Sequence, residues 1–130
     1  MKFLLDTNAV IAILNRQSDF IAKLTRYSPQ DFGLSAIVLF ELHYGAQKSQ
    51  RKAENLAKLA KLPFEVVPFT AEDAEIAGKI RADLALQGSP IGSYDVQIAA
   101  QAISRNLTLI THNIKEFKRV SDLTFEDWQS

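Results

Sequence analysis

Met1-Lys2-Phe3-Leu4-Leu5-Asp6-Thr7-Asn8 is the stretch on which the reading of this chain turns. A short apolar run stops abruptly at Asp6-Thr7-Asn8, a polar triplet suited to capping a helix start. Helical spacing follows through Val10, Ile11, Ile13 and Leu14, then through Phe20, Ile21, Leu24 and Tyr27. Outward from there the alternation repeats. Ser28-Pro29-Gln30-Asp31 breaks the chain before a second strand at Phe32–Ser35, and helices are expected over Ile37–Ala46 and Lys52–Leu62. Phe64–Phe69 reads as a third strand, kept short by Pro68. Ala71–Leu86 is amphipathic, with Ile76, Ile80 and Leu84 at four-residue steps and Gly88 placed to end the helix. A helix over Tyr94–Arg105, a strand at Leu107–Ile110, a short helix near Glu116–Phe117 and an edge strand near Leu123–Phe125 complete the pattern. The expectation is one α/β domain over residues 1–130, with a mostly parallel central sheet covered on both faces.

Composition narrows the function classes. The chain has 130 residues, 47% hydrophobic and 23% charged, which suits an ordinary globular domain and not a disordered one. Lys+Arg and Asp+Glu are 15 each, so no net field draws the molecule onto a polyanion, and any such partner must meet a local patch. The absence of cysteine excludes a disulfide framework and a zinc–thiolate site. No stretch is apolar and long enough to span a membrane, and the amino terminus lacks a secretory pattern, so the chain reads as cytoplasmic and not membrane-bound.

Four polar residues stand out by position. Asp6 lies at the carboxyl end of the first strand and Asn113 just beyond that of Leu107–Ile110, the rim where open parallel sheets bind ligands. Taken singly, each reads more simply as a helix cap. Glu41 is harder to explain that way, because its helical neighbours Ile37, Val38, Tyr44 and Gly45 are apolar or small. Asp95 similarly has Ile98 and Ala99 ahead of it. A carboxylate on an apolar face costs several kcal/mol unless protonated, paired or bound to a metal. No Lys or Arg lies within five residues of Glu41 or Asp95. A cation is then the simplest neutraliser of Asp6, Glu41 and Asp95, and hard oxygen ligands favour Mg²⁺ or Mn²⁺. Cleavage of a phosphodiester is the reaction that fits such a site.

These residues also carry a family resemblance. Leu-Leu-Asp6-Thr7-Asn8 and Ser35-Ala-Ile-Val-Leu-Phe-Glu41-Leu-His-Tyr-Gly45 resemble the opening of a PIN-domain ribonuclease. Pro90-Ile-Gly92-Ser-Tyr-Asp95-Val-Gln-Ile-Ala-Ala100 is similar to its third motif, and Leu-Ile-Thr111-His112-Asn113-Ile-Lys-Glu116-Phe117 to its fourth. The closing Arg119-Val-Ser-Asp-Leu-Thr-Phe-Glu-Asp-Trp128 resembles the VapC toxins of type II toxin–antitoxin pairs. The resemblance implies a three-layer α/β/α sandwich and a Mg²⁺- or Mn²⁺-dependent endoribonuclease acting on transfer RNA or other structured RNA. It implies Asp6, Glu41 and Asp95 as metal-site residues, with Asn113 in the fourth catalytic position, where many PIN domains carry Asp. It further implies a homodimer neutralised by a cognate VapB-type antitoxin, and with it a hetero-octamer on operator DNA. Exposed parts of Val10, Ile13, Leu14, Leu39 and Tyr44 are the expected apolar pockets for the antitoxin tail. The rivals are a non-toxic PIN nuclease for RNA processing or DNA, and a regulatory Mg²⁺-binding α/β module.

Other features carry less. Lys48, Arg51, Lys52, Lys58 and Lys61 form a basic run that starts soon after Glu41, and Lys48, Arg51 and Lys52 are the candidate RNA contacts. The plainer reading is a solvated helix face. His112 is expected at the surface, His43 on a different helix face from Glu41, and Trp128 as a clamp packing the tail.

Overall fold

The computed structural model describes residues 1–129. Its strands are β1 (Phe3–Leu5), β2 (Phe32–Ser35), β3 (Glu65–Val67), β4 (Thr108–Ile110) and β5 (Phe125–Glu126). They form a single sheet in the order β3-β2-β1-β4-β5, with every pairing parallel. Among the described residues the helices are α1 (Thr7–Leu14), α2 (Ser18–Leu24), α3 (Ala36–Gln47), α4 (Lys52–Ala60), α5 (Ala71–Leu86), α6 (Ser93–Ser104) and α7 (Ile114–Phe117). Every residue of β1 and β2 is buried, which requires cover on both faces of the sheet. The expected α/β layering is what forms.

Local chemistry explains the boundaries. At Arg16 the backbone turns to φ 53°, so the apolar spacing divides into α1 and α2, and Tyr27 falls beyond the second helix. Thr70 and Asp73 cap α5 reciprocally, and Gly88 at φ +69° follows its end, as the sequence predicts. Gly33 has a different role: a Cβ there would come within 2.7 Å of a Val67 methyl and 2.5 Å of the Met1 sulfur, so β2 admits no side chain at that position. The tail closes over an aromatic cluster. The Trp128 ring lies 5.1 Å from Phe3, 5.6 Å from Phe20 and 5.7 Å from Tyr27, confirming it as a clamp.

Strand order reverses around β1, with β2 on one side and β4 on the other. Such a switch point opens a crevice at the carboxyl ends of the two central strands. Asp6 and Thr111 leave β1 and β4 there.

Candidate active site

Asp6 is held from two sides. The Thr7 N–H donates to Asp6 Oδ1 at 2.8 Å, so Asp6 does cap α1. The buried Thr111 hydroxyl donates to Asp6 Oδ2 at 2.7 Å, and the Asp6 N–H donates to the Ile110 carbonyl at 3.0 Å. Cap and site residue are the same side chain, only 5% exposed. The neighbouring Thr7 hydroxyl donates to Glu41 Oε1 at 3.3 Å and so links the first acid to the second. Glu41 is presented by α3, whose start is fixed by Ser35: its Oγ accepts the N–H groups of Ile37 and Val38.

Asp95 lies in the first turn of α6, close to Gly92, and its carboxyl interacts with that of Glu116. Glu116 is a site residue that the sequence reading missed. It also accepts the Asn113 side-chain amide at 3.3 Å and the Gly92 backbone N–H. Asn113 therefore reaches Asp95 only through Glu116, while its backbone N–H donates to Thr111 Oγ1 at 3.0 Å. The available signal was spacing: Asn113 and Glu116 are three apart at a helix start, where side chains meet.

The electrostatics follow from crowding. Burial pushes the Asp6 carboxyl up against the two hydrogen bonds that favour its charge. Burial likewise raises Glu41, and the Asp6 charge adds to it. Asp95 is pushed up to about 7, first by burial, then by the hydrogen bond with Glu116 and the charges of Asp6, Glu116 and Glu41. Glu116 is lowered, chiefly by that same hydrogen bond. Asp95 and Glu116 thus titrate together, with Asp95 raised and Glu116 lowered. Among the described residues none of Asp6, Glu41 and Asp95 has an ion-pair partner.

The donor set suits a hard divalent cation, being all oxygen and over-negative. Among the described residues no three such side chains are arranged to grip one bare ion together.

Several sequence expectations shift. Val10 is fully buried in the core and cannot line an antitoxin pocket. α1 turns Ile11 and Leu14 outward instead, into a groove with Leu42, Gly45, Leu59 and Glu41. Leu39 packs against the core, and Tyr44 lies in a separate pocket with Phe40, Glu41 and Tyr94. Lys48, Arg51 and Lys52 are exposed, but the amine lining the Glu41 groove is Lys58. His112 is exposed, as expected, and bonded to Asp127, away from the acids, and His43 is exposed too.

Residues 3–123 match the PIN-domain family. The chain is 38% identical over 130 residues to the tRNA(fMet)-specific endonuclease VapC of Salmonella typhimurium, with 98% of each covered. It belongs to the PIN-domain VapC ribonuclease family. Ribonuclease VapC2 of Rickettsia felis is another relative, 38% identical over 132 residues and 98% of each chain. The solved complex of VapBC2 from Rickettsia felis, bound to a DNA fragment from their promoter, superposes with a TM-score of 0.91 at 36% identity, covering 98% of this chain and 99% of that one. DNA-bound VapBC from Salmonella typhimurium gives 0.92 at 37% identity, with 98% of both covered. VapC membership agrees with the geometry: the quoted motifs all end at one rim.

Proposed function

We propose that this chain is a metal-dependent endoribonuclease toxin that cuts transfer RNA or another structured RNA and is silenced by a cognate VapB-type antitoxin. The observation that carries the catalytic part is the set of acids Asp6, Glu41, Asp95 and Glu116 gathered at the sheet rim, where among the described residues none of Asp6, Glu41 and Asp95 has an ion-pair partner, while Arg119 acts on Glu116. Asp6, Glu41 and Asp95 would hold Mg²⁺ or Mn²⁺, which when bound screens charge on the phosphoryl oxygens and acidifies an attacking water. The chain's own contribution is orientation and proton control. Thr7 and Thr111 fix Asp6 and Glu41, so neither carboxylate has to be ordered during the reaction. While no metal is bound, Asp95 is raised to about 7, a position from which it gives up its proton readily at neutral pH. Asn113 orients Glu116 and contributes no charge.

The groove of Ile11, Leu14, Leu42 and Leu59 opens at Glu41, with Lys58 on its rim, and suits an amphipathic antitoxin segment. A basic antitoxin side chain reaching Glu41 and Asp6 would compete with metal in a low-dielectric site. Both VapBC complexes are bound to DNA, which supports a toxin that joins its antitoxin on operator DNA; the homodimer and hetero-octamer are what the family resemblance implies.

The test is cleavage of cellular RNA by the purified chain, with mapping of the new ends. Activity should vanish in EDTA and return with Mg²⁺ or Mn²⁺, expression alone should stop growth, and the neighbouring small open reading frame should restore it. Full activity of demonstrably metal-free protein would overturn the mechanism. Normal growth at high soluble levels would favour a non-toxic nuclease.

A further inference from the structure

The helices that present Asp6, Glu41 and Asp95 do not begin alike. Asp6 caps α1 and Ser35 caps α3, each with its own side chain. α6 begins at Gly92, which has no side chain to accept an orphan N–H. Asp95 is in contact with this start: a Cβ on Gly92 would meet its Oδ2 at 3.4 Å. Two side chains from the segment after β4 reach the loop in front of α6 instead. Glu116 accepts the Gly92 N–H. Arg119, partly buried, donates Nη1 to the Pro90 carbonyl at 3.0 Å. The Arg119 N–H donates to the Glu116 carbonyl at 3.1 Å just past α7, and the guanidinium charge lies close to the Glu116 carboxylate.

We propose that Arg119 is a positioning residue for RNA cleavage: by fastening the loop of residues 89–92 to α7, it fixes where α6 begins and where Asp95 stands relative to Glu116. The inference rests on the ribonuclease reading and adds a residue, outside the acids themselves, on which their geometry depends. A helix that starts at a glycine takes on the freedom of the loop before it. Catalysis tolerates little of that freedom, since a misplacement of about 1 Å costs about a hundredfold in rate. Arginine suits the task because its planar fork stays charged and holds several acceptors at once. Contact with an RNA phosphate is the other use for a guanidinium near the acids. The bond to Pro90 and the neighbouring Glu116 favour the first use, because a guanidinium beside a carboxylate offers a phosphate little net charge.

The experiment compares the full chain as wild type, Arg119→Met and Arg119→Lys. Methionine keeps apolar cover over Ile80, Leu84 and Ile103, which line a cavity together with Arg119, and lysine keeps the charge and a donor. Amide exchange by NMR on metal-free protein reads the clasp without any turnover. Arg119→Met should speed exchange at Gly92 and Val96 about tenfold, the size of one lost hydrogen bond, and leave Ala99 and Ala100 unchanged. Arg119→Lys should recover part of that protection. On RNA whose cleavage site has been mapped, with Mg²⁺, Arg119→Met should lower kcat about tenfold and leave KM and its salt dependence unmoved, with Arg119→Lys in between. Exchange that rises evenly through α5 and α6 would report a loss of global stability, and the positioning role falls. A raised KM with a flatter salt slope and normal kcat would make Arg119 a phosphate contact, which also overturns the proposal. So would exchange and kcat that both stay at wild-type values in Arg119→Met, and in these three cases the ribonuclease reading stands. If the wild type cuts no RNA with Mg²⁺ or Mn²⁺, the ribonuclease reading itself fails, and the role of Arg119 in cleavage falls with it.

Discussion

α6 meets an acid at each end, fully buried Asp73 of α5 at one and its own half-buried Asp95 at the other, and the two are treated in opposite ways. At its carboxyl end Arg105 donates to Asp73 at 2.8 and 3.1 Å, and Ser104 and the Thr70 N–H complete the shell around that fully buried carboxylate. Asp73 is buried, which raises it, yet its partners outweigh the burial and hold it below the usual range. At the amino end Asp95 meets only acids and is pushed up to about 7. The difference shows what a charge is for. A buried carboxylate with its cation supplied by the chain holds helices together, whereas one whose cation is withheld is waiting for something from outside.

Removing a charge at each end separates the two roles most sharply. Asp6→Asn should lower RNA cleavage by at least about a hundredfold while leaving the metal-free protein as stable as wild type or more so, since it relieves like-charge repulsion. Cleavage rates together with thermal melts in EDTA decide this, and a variant that both cuts normally and melts early would erase the distinction. Arg105→Met should do the reverse. It strands Asp73 and should cost about 3 kcal/mol of stability by urea unfolding, with kcat of the folded fraction nearly unchanged. A collapse of kcat at full stability would show that the paired end serves the chemistry.

The two ends should also respond to pH with opposite signs. Asp95 is raised above its unfolded value, so its contribution is complete below about pH 4 and is lost as pH rises through about 7. Asp73 is lowered, so its contribution is present above its unfolded value of 3.8 and is lost as pH falls below it. Metal-free protein should therefore melt earlier at pH 8 than at pH 6, Mg²⁺ should reverse that loss, and Asp95→Asn should remove it. Melting curves that run parallel in wild type and Asp95→Asn would refute the assignment. The smallest effect belongs to Asn113. Asn113→Ala loses one hydrogen bond to Glu116 and should lower kcat about tenfold, with metal affinity by calorimetry nearly intact. If it abolishes metal binding as Asp6→Asn does, Asn113 is itself a ligand.

Legibility differed between elements for physical reasons. α5 runs over Ala71–Leu86, as its apolar steps, its Thr70–Asp73 cap and Gly88 predict, because a long amphipathic helix states its own ends. α1 does not. Val10, Ile11, Ile13 and Leu14 make it apolar around much of its circumference, so its period cannot say that Val10 faces the core and Ile11 the groove. Glu116 escaped notice because its partner, Asp95, is on another helix and only the fold brings the two together.

What the amino-acid order determined by itself is the alternation of strands and helices, the parallel sheet it entails, and the placement of Asp6 and Asn113 after strands. Those depend on local spacing and on the rule that parallel strands end at a common rim. Only the tertiary structure decided that Thr111 and Thr7 clamp Asp6 and Glu41, that Asp95 stands beside Glu116, and that Ile11 and Leu14 face a groove. Those facts depend on burial and on distances between residues far apart in the chain, quantities that no local pattern contains.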